Sequence, residues 1–246
     1  MLIIKLSAID STNTFLKQWV QQTKAHTSIG VWAKHQTHGT GRMGTKWLSE
    51  KDLNLLCSVY LGDISDQNNV VFDINKRVCL AILDTLIPLN IPSLQIKWPN
   101  DILSAGKKIS GILVEPILRG NKVTSVVIGC GINVNQLEFP DLPFASSMQA
   151  MTGQEYAIES IFNDLANNIE KTVRADTTDN ARYLDSLYGF NKSCSFERSD
   201  GSSFSATIVG VAEDGKLIVK HNDGTTAFFE EKKIEKNGKY DGSKHF

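Results

Sequence analysis

The sequence predicts an α/β domain of residues 1–189 followed by a small β domain of residues 190–246. In the first part, apolar runs typical of strands alternate with amphipathic stretches typical of helices. An Arg-Gly-Asn turn at 119–121 between two apolar runs predicts an antiparallel hairpin. In the second part, Asp-Gly pairs recur at 200–201, 214–215 and 223–224, a spacing that indicates the short strands of a small β-barrel.

The first domain opens with a predicted strand, Leu2–Ser7, and a capped helix. All four residues of Asp10–Asn13 favour helix N-caps, and the residues after them are apolar at helical spacing. Strands are then predicted at Ile29–His35 and Asn54–Leu61. The second of these is almost continuously apolar, so we expect both of its faces to be covered.

The rest of the first domain is predicted in the same way. The spacing of apolar residues predicts a core helix over Val70–Leu86, which ends before Pro88. Further strands are predicted at Leu94–Trp98, Ile102–Leu103, Ile109–Leu118 and Lys122–Val134. Further helices are predicted at Glu155–Arg174 and Ala181–Tyr188.

Composition and charge exclude several classes of protein. The 246 residues carry 26 basic and 27 acidic side chains, so there is no global positive field to attract nucleic acid. No apolar run approaches the ~20 residues of a membrane helix, and the N-terminus lacks the features of a signal peptide. The four cysteines are widely spaced, which predicts reduced, mostly buried thiols in a cytoplasmic protein rather than a zinc site or disulfides.

A glycine-rich segment, Gly39–Gly44 (GTGRMG), is the first candidate site. A dinucleotide-binding loop would require a helix directly after it, and Thr45–Asn54 has no helical apolar stripe. The segment fits better a mobile loop that folds over an anion with its backbone N–H groups, the Arg42 guanidinium and the Trp47 ring. On this segment alone, a surface loop with an incidental arginine is the alternative.

Three further motifs place polar groups beside strands: Lys97–Asp101 (KWPND), Gly106–Glu115 (GKKISGILVE) and Gly129–Asn135 (GCGINVN). Asn100 can donate and accept hydrogen bonds, and Asp101 can accept from a hydroxyl or bind a hard cation such as Mg²⁺. The glycine inside the strand of the second motif indicates close approach of a ligand or another backbone. Taken singly, each motif is as typical of an ordinary turn, bulge or hairpin tip.

In this order and spacing, these motifs and the Ser-Thr-Asn segment at 11–13 resemble the biotin protein ligase family, the biotin–[acetyl-CoA-carboxylase] ligases. The resemblance covers almost the whole chain. It implies an α/β catalytic domain with a mixed β-sheet flanked by helices, and a C-terminal SH3-like β-barrel. It also implies that biotin reacts with ATP and Mg²⁺ to give biotinyl-5′-AMP, and that biotin is then transferred to a lysine of a biotin carboxyl carrier protein.

The resemblance also implies roles for individual residues. Residues implied in biotin binding are Ser11, Thr12, Asn13, Gln36, Thr40, Gly41, Arg42, Lys108 and Gly111. Residues implied in nucleotide binding are Trp47, Asn100, Asp101 and Asn133, with Asp101 also the candidate Mg²⁺ ligand. Lys108 and Arg42 are the catalytic candidates, because fixed cations stabilise the negative charge that gathers on the carboxylate and α-phosphate.

The sequence departs from the family pattern in its glycine loop. That loop usually reads G-R-G-R-x-G-R-x-W, whereas here Thr40 and Thr45 replace two arginines and leave Arg42, with Lys46 as a candidate replacement. Since Ser11 comes so early, we expect no N-terminal helix-turn-helix domain and no DNA partner. A homodimer through the hairpin Ile109–Val134 stays open.

Two alternatives of function are kept. The nearest is a lipoate protein ligase, which shares the fold and the adenylation step. Its R-R-x-S-G-G-G-x-V-x-H-D segment has no match in this sequence. The other is a binding module that senses biotin without catalysis, and it would bind biotin without consuming ATP.

Overall fold

The computed structural model describes residues 1–64, 71–120, 122–231 and 233–237. Its strands are β1 (Leu2–Leu6), β2 (Ile29–Ala33), β3 (Asn54–Leu61), β4 (Leu94–Lys97), β5 (Asp101–Ser104), β6 (Lys107–Arg119), β7 (Lys122–Asn133), β8 (Ser193–Arg198), β9 (Ser203–Val211), β10 (Leu217–His221), β11 (Thr226–Phe229) and β12 (Ile234–Asn237). Its helices are α1 (Thr12–Thr23), α2 (Val71–Leu86), α3 (Met148–Thr152), α4 (Ile158–Val173) and α5 (Asn180–Asp185).

The first seven strands form one mixed sheet in the order β1-β2-β3-β7-β6-β5-β4. Strands β1 and β2 are parallel, and the other neighbours are antiparallel. The predicted hairpin is present as β6 and β7, although residue 121 of its turn lies outside the described residues. The mixed sheet implied by the resemblance is therefore confirmed.

Helices cover both faces of this sheet. On one face, Leu16 of α1 packs in a cluster with Val31, Tyr60 and Val127. On the other, buried residues of α2 and α4 form the main core with alternate residues of β3, such as Cys57. All eight residues of β3 are buried, which confirms that both of its faces are covered. Because side chains alternate along a strand, Ser58 points towards α1.

Strands β8–β12 form a second, antiparallel sheet in the order β11-β10-β9-β8-β12. The Asp-Gly pairs lie in turns between its strands, as the sequence predicts. In the described residues β11 and β12 are the edge strands, so closure into an SH3-like barrel stays a prediction. Residues 238–246 of the predicted second domain lie outside the described residues.

Three helices differ from the predictions. The predicted helix Ala181–Tyr188 runs from Asn180 to Asp185, and the backbone N–H of Tyr188 donates instead to Ile96 O (2.7 Å). The predicted helix Glu155–Arg174 begins only at Ile158, because the backbone N–H of Tyr156 donates to Asn135 Oδ1 (3.0 Å) and holds the preceding segment out of the helix. Helix α3 was not predicted, since five residues are too few to show an apolar stripe.

All four cysteines are free and buried, as predicted. Among the described residues, no helix has both the length and the apolar character needed to cross a membrane.

Candidate active site

A cavity of about 440 Å³ lies between the α1 side of the large sheet, the glycine loop and the second sheet. It brings together most of the residues that the sequence predicts to bind biotin or nucleotide: Ser11, Thr12, Asn13, Gln36, Thr40, Gly41, Arg42, Trp47, Asn100, Asp101, Lys108 and Gly111. Part of its wall comes from the second sheet, through Phe196, Ile208 and Leu217, and from Glu231 in the turn after β11. This contribution to the cavity wall was not predicted from the sequence.

The start of α1 places a polar network in the cavity. Ser11 is the N-cap of the helix. Thr12 and Asn13, in the first turn, face the large sheet and are almost completely buried. The Thr12 N–H and hydroxyl lie 2.7 and 2.9 Å from Gln36 Oε1, and Ser58 Oγ lies 2.7 Å from Thr12 Oγ1. Ser58 also donates to Asn13 Oδ1.

The glycine loop is held by its own backbone. Gly41 N donates to Thr45 O (2.7 Å) and Trp47 N donates to Gly39 O (2.9 Å), so the loop is a short, narrow turn. The chain reverses at Met43, which has a left-handed φ of 51°. These bonds close the loop, and the Trp47 ring attaches it to the sheet.

Trp47 packs flat against the sheet where two strands carry glycine. A Cβ at position 111 would lie 2.9 Å from Trp47 Cζ3, and one at position 131 would lie 2.7 Å from Trp47 Cζ2. The close approach at Gly111 is thus made by a side-chain ring, whereas the sequence predicted a ligand or another backbone there. The Trp47 indole N–H is buried and has no hydrogen-bond partner in the described part of the chain.

Arg42 is held by Glu231, which lies in the turn after β11. Its Nε and Nη2 lie 2.9 and 2.6 Å from Glu231 Oε2. Both side chains are mostly buried, with exposed fractions of 30% and 22%. The loop arginine therefore stands in the cavity wall with a carboxylate as its counterion.

The other predicted catalytic cation, Lys108, is only 8% exposed. Its Nζ lies 2.9 Å from Asp101 Oδ1 and 5.5 Å from the centre of the Trp47 ring. The neighbouring Lys107 is directed away and donates to Pro143 O (2.6 Å). Lys108 therefore lines the cavity, whereas Lys107 does not.

The KWPND segment forms a turn that contains a cis Trp98–Pro99 bond. Its side chains donate hydrogen bonds to β6 and to the turn between β9 and β10. Asn100 Nδ2 donates to Ile112 O (2.7 Å), and Trp98 Nε1 donates to Gly215 O in the turn between β9 and β10 (2.8 Å). Asn100 thus lines the cavity, but its amide hydrogen holds the turn against β6.

Asn133 is the predicted site residue that the structure does not bring to the cavity. Its Nδ2 donates to Ser146 O (2.9 Å), and it is 4% exposed at the end of β7. Asp101 lines the cavity but pairs with Lys108. Among the described residues no group of three His, Cys, Asp or Glu side chains could hold a metal ion. The donor set therefore does not fit a resident Mg²⁺ site.

Cys57 and Cys130 lie opposite each other on β3 and β7 and also line the cavity. Hydrogen bonding with Cys130, together with burial, raises the pKa of the Cys57 thiol well above its ordinary value. A thiol that resists ionisation is a poor nucleophile.

The comparisons with known proteins identify the family. The model of the biotin/lipoate A/B protein ligase family matches residues 6–133. The chain belongs to this family. The bifunctional ligase/repressor BirA of Bacillus subtilis is 30% identical over 206 residues, which cover 79% of this chain and 62% of that protein. The biotin–[acetyl-CoA-carboxylase] ligase of Mycobacterium tuberculosis is 34% identical over 119 residues, covering 47% of this chain and 43% of that protein.

A solved structure confirms the fold of this family member. The Aquifex aeolicus biotin protein ligase in complex with biotin and ATP superposes with a TM-score of 0.77 at 24% identity, covering 95% of this chain and 97% of that one. The chain spans about three fifths of the length of the BirA relative. The family includes both biotin and lipoate ligases, so the choice of substrate depends on the site itself.

Three residues of the site were not singled out from the sequence. Ser58 was hidden in an apolar strand, and Glu231 lies far away in the chain. Glu115 ends the GILVE motif, and its carboxylate accepts from Asn13 Nδ2 (2.7 Å). Its position in the GILVE motif was the one feature of the sequence that could have indicated a role for Glu115 in the site.

Proposed function

We propose that this protein activates biotin with ATP to give biotinyl-5′-AMP and transfers biotin to a lysine of a biotin carboxyl carrier protein. The observation that carries the proposal is the combination, in one cavity, of an acceptor-rich polar network at the start of α1 with the two cations Lys108 and Arg42. The first suits the ureido ring of biotin, and the second suits a carboxylate and a phosphate.

The polar network favours biotin over lipoate. Gln36 Oε1, Thr12 Oγ1 and Ser58 Oγ lie in hydrogen-bonding succession, so oxygen lone pairs dominate this part of the cavity. The ureido group of biotin presents N–H donors, whereas the dithiolane ring of lipoate presents none. A lipoate ligase of the same fold is therefore the second candidate.

The reaction proceeds in two steps. A carboxylate oxygen of biotin attacks the α-phosphorus of ATP and pyrophosphate leaves. The neutral amine of the carrier lysine then attacks the acyl carbon, AMP leaves, and the amine loses one proton. Lys108 and Arg42 would stabilise the negative charge of the first transition state, and closure of the glycine loop would exclude water. Mg²⁺ would enter as part of the substrate Mg-ATP, since Asp101 pairs with Lys108.

The division into domains, the partners, the location in the cell and the oligomeric state are proposals of the same kind. Residues 1–189 would be the catalytic domain and residues 190–246 an SH3-like domain that closes the cavity. The partners would be ATP and a carrier protein in the cytoplasm, with neither DNA nor a membrane. A homodimer would form along the β6–β7 hairpin, because β6 pairs with β5 only as far as Gly111.

The experiment is incubation with biotin, Mg-ATP and an apo carrier domain, with the carrier mass measured before and after. We expect one biotinyl group per carrier, and none when ATP or Mg²⁺ is omitted. Parallel reactions contain lipoate in place of biotin. Transfer of lipoate alone would identify a lipoate ligase, and biotin binding without ATP consumption would identify a binding module.

A further inference from the structure

Five side chains form a continuous hydrogen-bonded series that we call the acceptor network: Gln36, Thr12, Ser58, Asn13 and Glu115. Ser58 is completely buried, and Thr12 and Asn13 are 3% and 6% exposed. Gln36, Thr12 and Asn13 line the cavity, whereas Ser58 and Glu115 lie behind it. Lys17 Nζ contacts Glu115 Oε1 at 2.8 Å from the outer side.

The amide orientations at both ends of the network are fixed. The backbone N–H of Thr12 can only donate, so the atom of Gln36 that faces it is the oxygen Oε1. The carboxylate of Glu115 can only accept, so the atom of Asn13 that faces it is the nitrogen Nδ2. The Asn13 oxygen Oδ1 must then face Ser58.

This orientation leaves the network short of one hydrogen. Three pairs of oxygens are in hydrogen-bonding contact: Gln36–Thr12, Thr12–Ser58 and Ser58–Asn13. The amide oxygens at the two ends contribute no hydrogen, and the two hydroxyls between them contribute one each. In one of the three pairs, therefore, no hydrogen lies between the two oxygens, and their lone pairs face each other.

The position of that pair depends on how the hydroxyls rotate. If Ser58 donates to Asn13 and Thr12 donates to Ser58, the pair without a hydrogen is Thr12 Oγ1 and Gln36 Oε1. These two atoms belong to residues that line the cavity. A ligand N–H directed between them satisfies both oxygens in one three-centre bond.

We propose that Glu115 is a positioning residue that makes the site select an N–H donor. It acts through the orientation of the Asn13 amide and does not touch the ligand. The inference rests on the proposed function only for the identity of the ligand as biotin, whose ureido ring carries the N–H group.

The variant Glu115→Gln tests this because it reverses the network. Lys17 selects the oxygen of the new amide, so its nitrogen faces Asn13. Asn13 then presents Oδ1 to the new residue and Nδ2 to Ser58. Ser58 can donate to Thr12 and Thr12 to Gln36, so every pair has its hydrogen without a ligand. The variant should fold normally and bind an N–H donor less tightly.

The experiment compares the Kd of biotin with that of an analogue in which an oxygen replaces one ureido N–H, by calorimetry on the full chain. We expect Glu115→Gln to weaken biotin binding about tenfold, the scale of one hydrogen bond. The preference of the wild type for biotin over the analogue should fall by a similar factor. The melting temperature should stay within a few degrees of the wild type.

The matched control is Lys17→Met, which removes the ion pair but keeps the Glu115 carboxylate. It should retain both the wild-type Kd and the wild-type preference. Unchanged biotin affinity and preference in Glu115→Gln would overturn the inference, as would an equal loss for both ligands. If the wild type binds no biotin at all, the proposed function fails instead.

Discussion

Lys108 shows how a single residue can be prepared for charge stabilisation. It is almost completely buried, lies 2.9 Å from Asp101 and stands beside the Trp47 ring. The first residue of β6, Lys107, has the same charge but is directed to Pro143. Two adjacent lysines thus differ only in the direction that alternation along the strand gives them.

We expect Lys108→Ala to reduce the rate of pyrophosphate release by about 10²–10³, the effect of removing one preorganised donor. Lys107→Ala should leave the rate close to the wild type. Circular dichroism of both variants verifies that they are folded. Near wild-type turnover of Lys108→Ala would mean that this lysine is not the catalytic cation.

Two glycines of β7, Gly129 and Gly131, face different parts of the cavity. At each of them a single added methyl group would meet a different side chain. A Cβ at position 131 would press on Trp47, whereas a Cβ at position 129 would lie 2.9 Å from Asn13 Cγ. We expect Gly131→Ala to raise the KM for ATP about tenfold with little effect on biotin. Gly129→Ala should do the reverse, so each variant is the control for the other in steady-state kinetics. The same effect in both would contradict this division.

Residues in local motifs could be predicted from the sequence, and residues that depend on long-range contacts could not. Thr12 and Lys108 were predicted to be site residues and line the cavity. Asn133 belongs to an equally suggestive motif, but its amide is used to hold Ser146 O. Glu231 joins the site only because the second sheet folds against the first, which no spacing within the chain reveals.

At the scale of elements, α2 is attached to the C-terminal end of α4 by one buried arginine. Arg77 of α2 donates to Val173 O (3.2 Å) and to Ala175 O, carbonyls that the end of α4 leaves without helical partners. Asp73, one turn earlier, accepts from Arg77 Nε (2.9 Å) and from Thr178 Oγ1 (2.7 Å). These bonds fix the layer of helices behind the sheet.

Asp73 makes part of this stability depend on pH. Partial burial opposes its ionisation, but hydrogen bonds from Thr178, Lys76 and Arg77 outweigh it and lower the pKa of the carboxyl. The stabilisation is therefore present above the unfolded pKa of about 4 and is lost as the pH falls through the lower folded value.

We expect Asp73→Asn to lower the free energy of unfolding by about 1 kcal/mol at pH 7, measured in urea. The difference from the wild type should shrink as the pH is lowered below about 4, because the native carboxyl also becomes neutral. Asp164→Asn, on the exposed face of α4, should change neither value. A difference that grows on acidification would contradict this account.

For the whole molecule, the cavity is closed only where the two sheets meet. Trp98 donates to Gly215 O, Glu231 holds Arg42, and Phe196 and Leu217 complete the wall. The order of elements and the change of texture near residue 190 were visible in the sequence. The packing of one sheet over the active loop of the other was not, because apolar positions in β8 and β10 look the same whichever surface covers them.

The contact between Glu231 and Arg42 leads to a prediction for the free and bound protein. Arg42 donates two charge-assisted bonds to Glu231, and it is the residue that would bind the adenylate phosphate.

We expect Glu231→Gln to speed hydrogen exchange of the Gly39–Trp47 amides in the free protein about tenfold, since charged hydrogen bonds contribute roughly 1.5–3 kcal/mol and partial exposure reduces this. With biotin and Mg-ATP bound, wild type and variant should exchange alike, because the anionic ligand then replaces the carboxylate. Glu230→Gln, at the exposed neighbouring position, is the control. Equal exchange of wild type and Glu231→Gln in the free protein would mean that the backbone bonds of the loop and the Trp47 ring suffice to hold it.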